Sequence, residues 1–165
     1  MRHLIACAAV VMASVLTAFA AENKQIDVGA VITKADAEAA LGEPVKDAQS
    51  RNEEASDGYY SRCNYYAQGD RKSLVLRVRQ VKSAKLDAKQ EFKMLSAGGK
   101  LRSLDNLGDR AGVATSAPPN GAPRTLMLYV AKGNALVTVG LGGMDDENMA
   151  LQSAKALAKK ILKQL

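Results

Sequence analysis

The 165-residue chain gathers its recognition chemistry in one short stretch. The segment GYYSRCNYY, residues 58–66, holds four of the five tyrosines and one of the two cysteines. Shortly after it, SLVLRVRQV contributes Arg77 and Arg79. These residue types support distinct chemistries. Cys63 could serve as a nucleophile or redox thiol if it were exposed and close to positive charge. Tyrosine beside arginine suits capture of an anion or a protein: the guanidinium fork matches carboxylate and phosphate oxygens, and the rings supply rigid contact area. The third reading is a core-facing strand that happens to be aromatic.

Other chemistry is bounded by what is scarce. His3 is the only histidine and Cys7 the only cysteine besides Cys63. Both fall in MRHLIACAAVVMASVLTAFAAENK, which reads as a secretory signal peptide. Arg2 supplies the positive start, Leu4 to Phe19 the uncharged apolar run, and Ala18-Phe19-Ala20 the small-residue cleavage site. The run is shorter than a spanning helix needs. LIAC resembles a lipoprotein box, but it precedes the apolar run instead of ending it. The expectation is cleavage after Ala20 (signal peptide 1–20) and one exported domain over 21–165, periplasmic or secreted, monomeric and without a transmembrane helix.

Such a domain would lack Ser-His-Asp and Cys-His catalysis, the usual His-containing metal and haem sites, and any internal disulfide. No catalytic residue, metal ligand or cofactor is expected. Two acid clusters, NEEASDG and MDDEN, could pair carboxylates for general acid–base work. A Ser–Lys pair is formally available, though no spacing singles one out. GLGG at 140–143 lacks the Lys-Ser/Thr ending of a phosphate loop and reads as a connection from strand to helix. The net charge of +6 would suggest nucleic acid in a cytosolic protein. For an exported one it points to anionic envelope polymers, lipid headgroups or an acidic protein face, and nucleic acid is not expected.

The elements that must position these residues are legible from pattern. VITKADAEAALGEP is a helix capped by Thr33 with Asp36 three residues on, stapled by Ile32 and Ala37, and ended by Gly42 and Pro44. Residues 45–58 read as a polar loop. Residues 59–66 and 73–82 form a hairpin turning at Gly69-Asp70. That register sets Tyr65, Cys63 and Ser61 opposite Leu74, Leu76 and Val78, and Tyr60, Arg62 and Asn64 opposite Arg79, Arg77 and Val75. AKLDAKQEFKMLSAGG is a helix started by Asp87, with Ala88, Phe92 and Leu95 on one face and Gly98-Gly99 at its end. Residues 110–115 suggest a strand, and APPNGAP a loop.

A second hairpin turns at Gly133-Asn134 and sets Leu126, Leu128 and Val130 against Val137, Val139 and Leu141. Each such side chain contributes roughly 1.5–3 kcal/mol when fully buried, so this hairpin is the expected centre of the core. MDDENMALQSAKALAKKILKQL closes as a helix capped by Asp145 or Asp146. Its apolar stripe runs from Ala150 through Ala154, Leu157, Ala158, Ile161 and Leu162 to Leu165, with Lys155, Lys159 and Lys163 opposite.

The order is a loose helix–hairpin repeat with a C-terminal helix. It predicts an α+β two-layer sandwich: one antiparallel sheet of about five strands with helices packed on one face. Cys63 then points inward with Tyr59 and Tyr65 and behaves as an inert hydrophobe. The outward half of the first hairpin becomes the candidate binding face: Tyr60, Arg62, Tyr66, Arg77 and Arg79. Arg62 opposite Arg77 is unfavourable unless an anion or carboxylate bridges them, and Glu53, Glu54 or Asp57 are near enough in sequence to fold back and do so.

The succession ITKADAEAALGEPV, CNYY, LDNLGDRAGVA, LMLYVAKGNALVTVGL and ALAKKIL resembles small exported α+β domains of bacterial envelope proteins, lipoproteins and sensor ectodomains, many of unknown function. The resemblance spans most of residues 21–165. It implies fold and location and brings no catalytic residues with it. The resulting expectation is a non-enzymatic periplasmic or secreted binding domain whose partner is a protein or an anionic envelope component. The alternatives are an envelope hydrolase using carboxylates or a Ser–Lys pair, and a small apolar-ligand carrier.

Overall fold

The computed structural model describes residues 24–69, 71–82, 88–97, 101–116 and 124–165. The signal segment and its cleavage site lie outside them, as do Asp70, the Asp87 cap, the Gly98-Gly99 stop and the APPNGAP loop. In chain order come α1 (Val28–Val31), α2 (Lys34–Leu41), β1 (Gln49–Ala55), β2 (Gly58–Tyr66), β3 (Ser73–Val81) and α3 (Ala88–Ala97). They are followed by β4 (Arg102–Leu104), β5 (Arg110–Ser116), β6 (Arg124–Lys132), β7 (Ala135–Met144) and α4 (Glu147–Leu162).

The strands form one antiparallel sheet in the order β1-β2-β3-β7-β6-β5-β4. Both hairpins adopt the registers their alternation predicts. Cys63 faces Leu76 and Arg62 faces Arg77 in the first, and Leu128 faces Val139 in the second. The sheet has seven strands, not about five. One addition is β1, inside the stretch read as a loop. Its sequence QSRNEEA is exposed at every position but the last, so it pairs with β2 through backbone and buries almost nothing. The other is the three-residue β4 at the far edge.

GLGG is also not a connection. It lies within β7, paired to β3 and β6. A bulge places Gly143 between the residues opposite Arg124 and Thr125, at φ 79°. A Cβ there would fall 2.0 Å from the Arg71 carbonyl oxygen, so only glycine fits.

Alternation along the strands makes two faces. The inner face carries Cys63, Tyr65, Leu74, Leu76, Val78, Leu126, Leu128, Val130, Val137, Val139 and Leu141, all buried. It is covered by α1, α2 and α4. Thr33 and Asp36 complete the capping box of α2, and Gly42 ends that helix at φ 72° in the left-handed region. Asp146 caps α4 by accepting from the Asn148 and Met149 amides. Lys160 ties α4 to Asp36 of α2 at 2.6 Å.

Helices do not occupy that face alone. α3 packs on the outer face, where Ala88 and Phe92 form a second apolar cluster with Ala131 and Leu136, flanked by Leu101 and Tyr129. Gly112 makes room for it: a Cβ there would lie 3.2 Å from the Phe92 ring. The single-sided arrangement is thus corrected. The amphipathic pattern of α3 shows that it must pack, but does not say on which face.

Candidate functional site

Because α3 covers only the β5–β7 half of the outer face, an open groove of about 720 Å³ remains beside it. Its floor follows one cross-strand row. Arg51 on β1 faces Arg62 on β2, which faces Arg77 on β3. Arg77 faces Thr138 on β7, which faces Tyr129 on β6. Side chains directly opposite in a sheet share a face, so three arginines stand side by side on adjacent strands. Leu95 of α3, Met127, Leu136 and Tyr129 line the other end.

The arginines differ in their partners. Arg51 pairs with Glu53 two residues along its own strand, 3.1 Å away, with both side chains more than half exposed. Arg79, one row from Arg77, is wholly engaged. Its Nη1 donates to Glu91 of α3, its Nη2 to Asp57 at 3.0 Å and its Nε to the Tyr60 hydroxyl at 2.9 Å. Its guanidinium also lies 5.3 Å from the centre of the Tyr60 ring. The Tyr60 hydroxyl donates to Asp57 at 2.5 Å. That bond, reinforced by Arg79, holds the Asp57 carboxyl below its ordinary range, and the same bond pushes the Tyr60 phenol up.

Two carboxylates therefore share Arg79, leaving that corner acidic. The cluster fastens α3 and the β1–β2 turn to β3. Arg62 and Arg77 are exposed and, among the described residues, have neither ion pair nor hydrogen bond from their side chains. The acids that could have folded back are employed elsewhere: Glu53 on Arg51, Glu54 on Lys82 at 2.6 Å, and Asp57 on Arg79.

Of the five candidate face residues, Tyr60, Arg62, Arg77 and Arg79 line the groove. Tyr66 shares the outer face but sits a further turn of the pleat away, half-buried opposite Ser73. Residues not placed on the candidate face from the sequence complete the groove: Arg51, Glu91, Leu95, Leu136 and Thr138. Arg51 would have been found by recognising β1 as a strand. Glu91 and Leu95 required knowing which face α3 covers.

Between Arg62 and Tyr66, the Asn64 Oδ1 is the single buried side-chain polar atom without a hydrogen-bond partner among the described residues. It pairs with Val75 across the sheet, beyond the groove lining.

The other chemically interesting groups lie apart. Cys63 is a free thiol with no solvent exposure, on the inner face. Tyr65 beside it donates its hydroxyl to the Ile32 carbonyl at 2.7 Å, and burial pushes its phenol well above the usual range. Glu53 and Glu54 are consecutive on a strand and so point to opposite faces of the sheet. In the second acid cluster, Asp146 is the α4 cap and Glu147 approaches Arg102 at 3.6 Å and Arg124 at 4.0 Å. Among the described residues no group of His, Cys, Asp and Glu is placed to hold a metal ion. No helix among them is long and apolar enough to cross a membrane.

No family model matches the chain, and no curated protein matches it. Its fold is similar to that in the crystal structure of the extracellular domain of PknH from Mycobacterium tuberculosis. The TM-score is 0.52 at 14% identity, over 81% of this chain and 94% of that one. At such identity the likeness concerns the fold alone.

Proposed function

We propose that the chain is a non-enzymatic, exported binding domain that captures an anionic partner in the outer groove, with Arg62 and Arg77 as the receiving cations. The observation that carries this reading is the contrast among the groove arginines. Arg51 and Arg79 each have carboxylate partners, whereas Arg62 and Arg77 face each other across β2 and β3 with none among the described residues. Like charges directly opposite on a sheet are destabilising by roughly 0.2–1 kcal/mol. A bound oxyanion turns that repulsion into two charge-assisted forks, so the pair is matched to an anion better than to water.

The apolar leader of the sequence and the fold likeness to an extracellular domain support the exported setting. The two acids that meet in the groove, Asp57 and Glu91, are both held by Arg79, which does not favour the hydrolase alternative.

Native mass spectrometry of the protein taken from its own compartment tests the reading. Retained mass on the wild type and its loss from the doubly reversed R62E/R77E protein, with an unchanged circular dichroism spectrum, is the expected result. Equal retention by both proteins, or a bare monomer in both, would count against it.

A further inference from the structure

We infer that the ligand of this groove is a single-chain amphiphile with an oxyanion head, the head resting on Arg62 and Arg77 and the apolar chain directed towards β6 and α3. The inference rests on the binding reading above and adds to it the chemical class of the ligand.

Three observations lead there. The first is a polarity gradient along one register row. It runs from Arg51, Arg62 and Arg77 through the Thr138 hydroxyl to the Tyr129 ring. Beyond Thr138 the lining is largely apolar, from Tyr129, Met127 and Leu95, while Leu136 lies in the next row, opposite Arg79. A purely charged ligand would leave that half unused, and a purely apolar one would leave two arginines stripped of partners. Met127 suits a chain of variable shape, because an unbranched thioether adapts its packing.

The second observation is Leu95. It continues the Ala88–Phe92 stripe of α3, yet it is 39% exposed and faces the groove, while Phe92 is 8% exposed. The helix therefore presents one large aliphatic side chain to the opening and not to the sheet.

The third is the acidic corner. Asp57 and Glu91 share Arg79, so an anionic head is repelled from that corner and drawn to Arg62 and Arg77. The groove volume of about 720 Å³ falls in the range of small-ligand sites, about 300–1,000 Å³. A docked protein would instead engage a much broader surface, on the order of 800 Å² per partner.

Phosphate and carboxylate heads present the same chemistry to two guanidinium forks, and separate arms of one experiment distinguish them. Butyl, hexyl, octyl and decyl phosphate, the matching fatty acids, decyltrimethylammonium and inorganic phosphate are titrated below micelle formation by isothermal calorimetry. Binding to Leu95 and Tyr129 is located by methyl and aromatic NMR shifts.

Affinity should rise about twofold to fourfold per methylene along whichever anionic series binds, and the ammonium amphiphile should not bind. R62Q/R77Q should weaken decyl phosphate or decanoate at least tenfold. L95N, at a partly exposed position that leaves the fold intact, should flatten the chain-length series without changing inorganic phosphate.

A flat series in which inorganic phosphate matches decyl phosphate would overturn the amphiphile and leave the anion-binding reading standing. Chain-dependent binding that survives R62Q/R77Q would overturn both. No binding by any amphiphile, with an acidic protein retained in native spectra, would overturn the amphiphile alone.

Discussion

The two faces of the sheet are built from alternate residues of the same strands, yet they follow opposite rules. On the inner face Leu74, Leu76, Leu128, Val139 and Leu141 have no solvent exposure, and buried polar groups are bonded. Ser61 accepts from the Val28 amide at 2.8 Å and donates to Asn52 at 2.7 Å. Gln80 accepts from the Ile26 amide at 2.8 Å and donates to the Lys24 carbonyl at 2.9 Å. On the outer face, one residue away along each strand, two arginines stand opposed without counter-charge among the described residues, and an aliphatic helix residue is left in the open. The inner face is organised for stability. The outer face retains an opposed pair of like charges that an anionic partner would relieve, and the proposed binding role rests on that difference.

The largest effect should come from the inner face. Leu128→Ala removes a wholly buried side chain at the centre of the second hairpin and should destabilise the protein by about 2–5 kcal/mol, read from urea denaturation. Ligand affinity measured well below the new midpoint should not change. A loss under about 1 kcal/mol would mean that this face can collapse around the gap and is not the tightly packed side. The companion test is Cys63, which should resist thiol reagents until the protein unfolds.

The next effect tests what fastens α3 across the outer face. Arg79→Gln removes the pairing to Glu91 and Asp57 and should lower the melting temperature only modestly, because ion pairs between partly exposed groups are weak. Hydrogen exchange should accelerate in α3 but not in β6 and β7; uniform acceleration would show that Arg79 supports the whole sheet. The same anchor should depend on pH. The Asp57 carboxyl is held below its ordinary value of 3.8 by Tyr60 and Arg79. Its contribution is therefore complete above that value and is lost as pH falls through the lower folded-state pKa. Melting-temperature differences between wild type and Asp57→Asn should be constant near neutrality and close below about pH 4. A gap that stays open in acid would assign the effect to packing.

Legibility in the sequence also divides by face. The two hairpins were readable to the residue because strict alternation and a short turn leave one register that segregates both strands. The caps of α2 were readable because Thr33, Asp36 and Gly42 act within a few residues of one another. β1 was not, because QSRNEEA contains no β-branched or aromatic residue and buries nothing; its strand state comes from backbone pairing with β2. The side chosen by α3 was not readable either. One signal was present: Gly112, Ala114, Ala131 and Gly140 all fall on the outer face of β5–β7, and small residues in a patch leave a flat bed for a helix. The candidate arginines were legible through register alone, but the fate of each depended on contacts distant in sequence. Glu91 captures Arg79, while Arg62 and Arg77 receive no carboxylate among the described residues.

Asn64 sharpens the comparison from within the outer face, since its buried Oδ1 has no partner among the described residues but lies outside the groove lining. If that orphan is a packing fault and not part of recognition, Asn64→Val should stabilise the protein by about 1 kcal/mol and leave ligand affinity untouched. Weakened binding would bring Asn64 into the site.

The smallest effect is the most discriminating. Arg77→Thr removes one member of the opposed pair Arg62–Arg77 and places a β-branched residue beside Thr138 on the neighbouring strand. Stability should rise by roughly 0.2–1 kcal/mol, most at low salt, where repulsion between exposed charges is least screened. Affinity for the anionic ligand should fall in the same protein. Opposite signs for folding and binding in one substitution are expected only where a charge is retained against the interest of the fold. If Arg77→Thr lost stability at every salt concentration, Arg77 would be contributing to the sheet through its aliphatic stem, and the opposed pair would no longer distinguish the outer face from an ordinary solvated one.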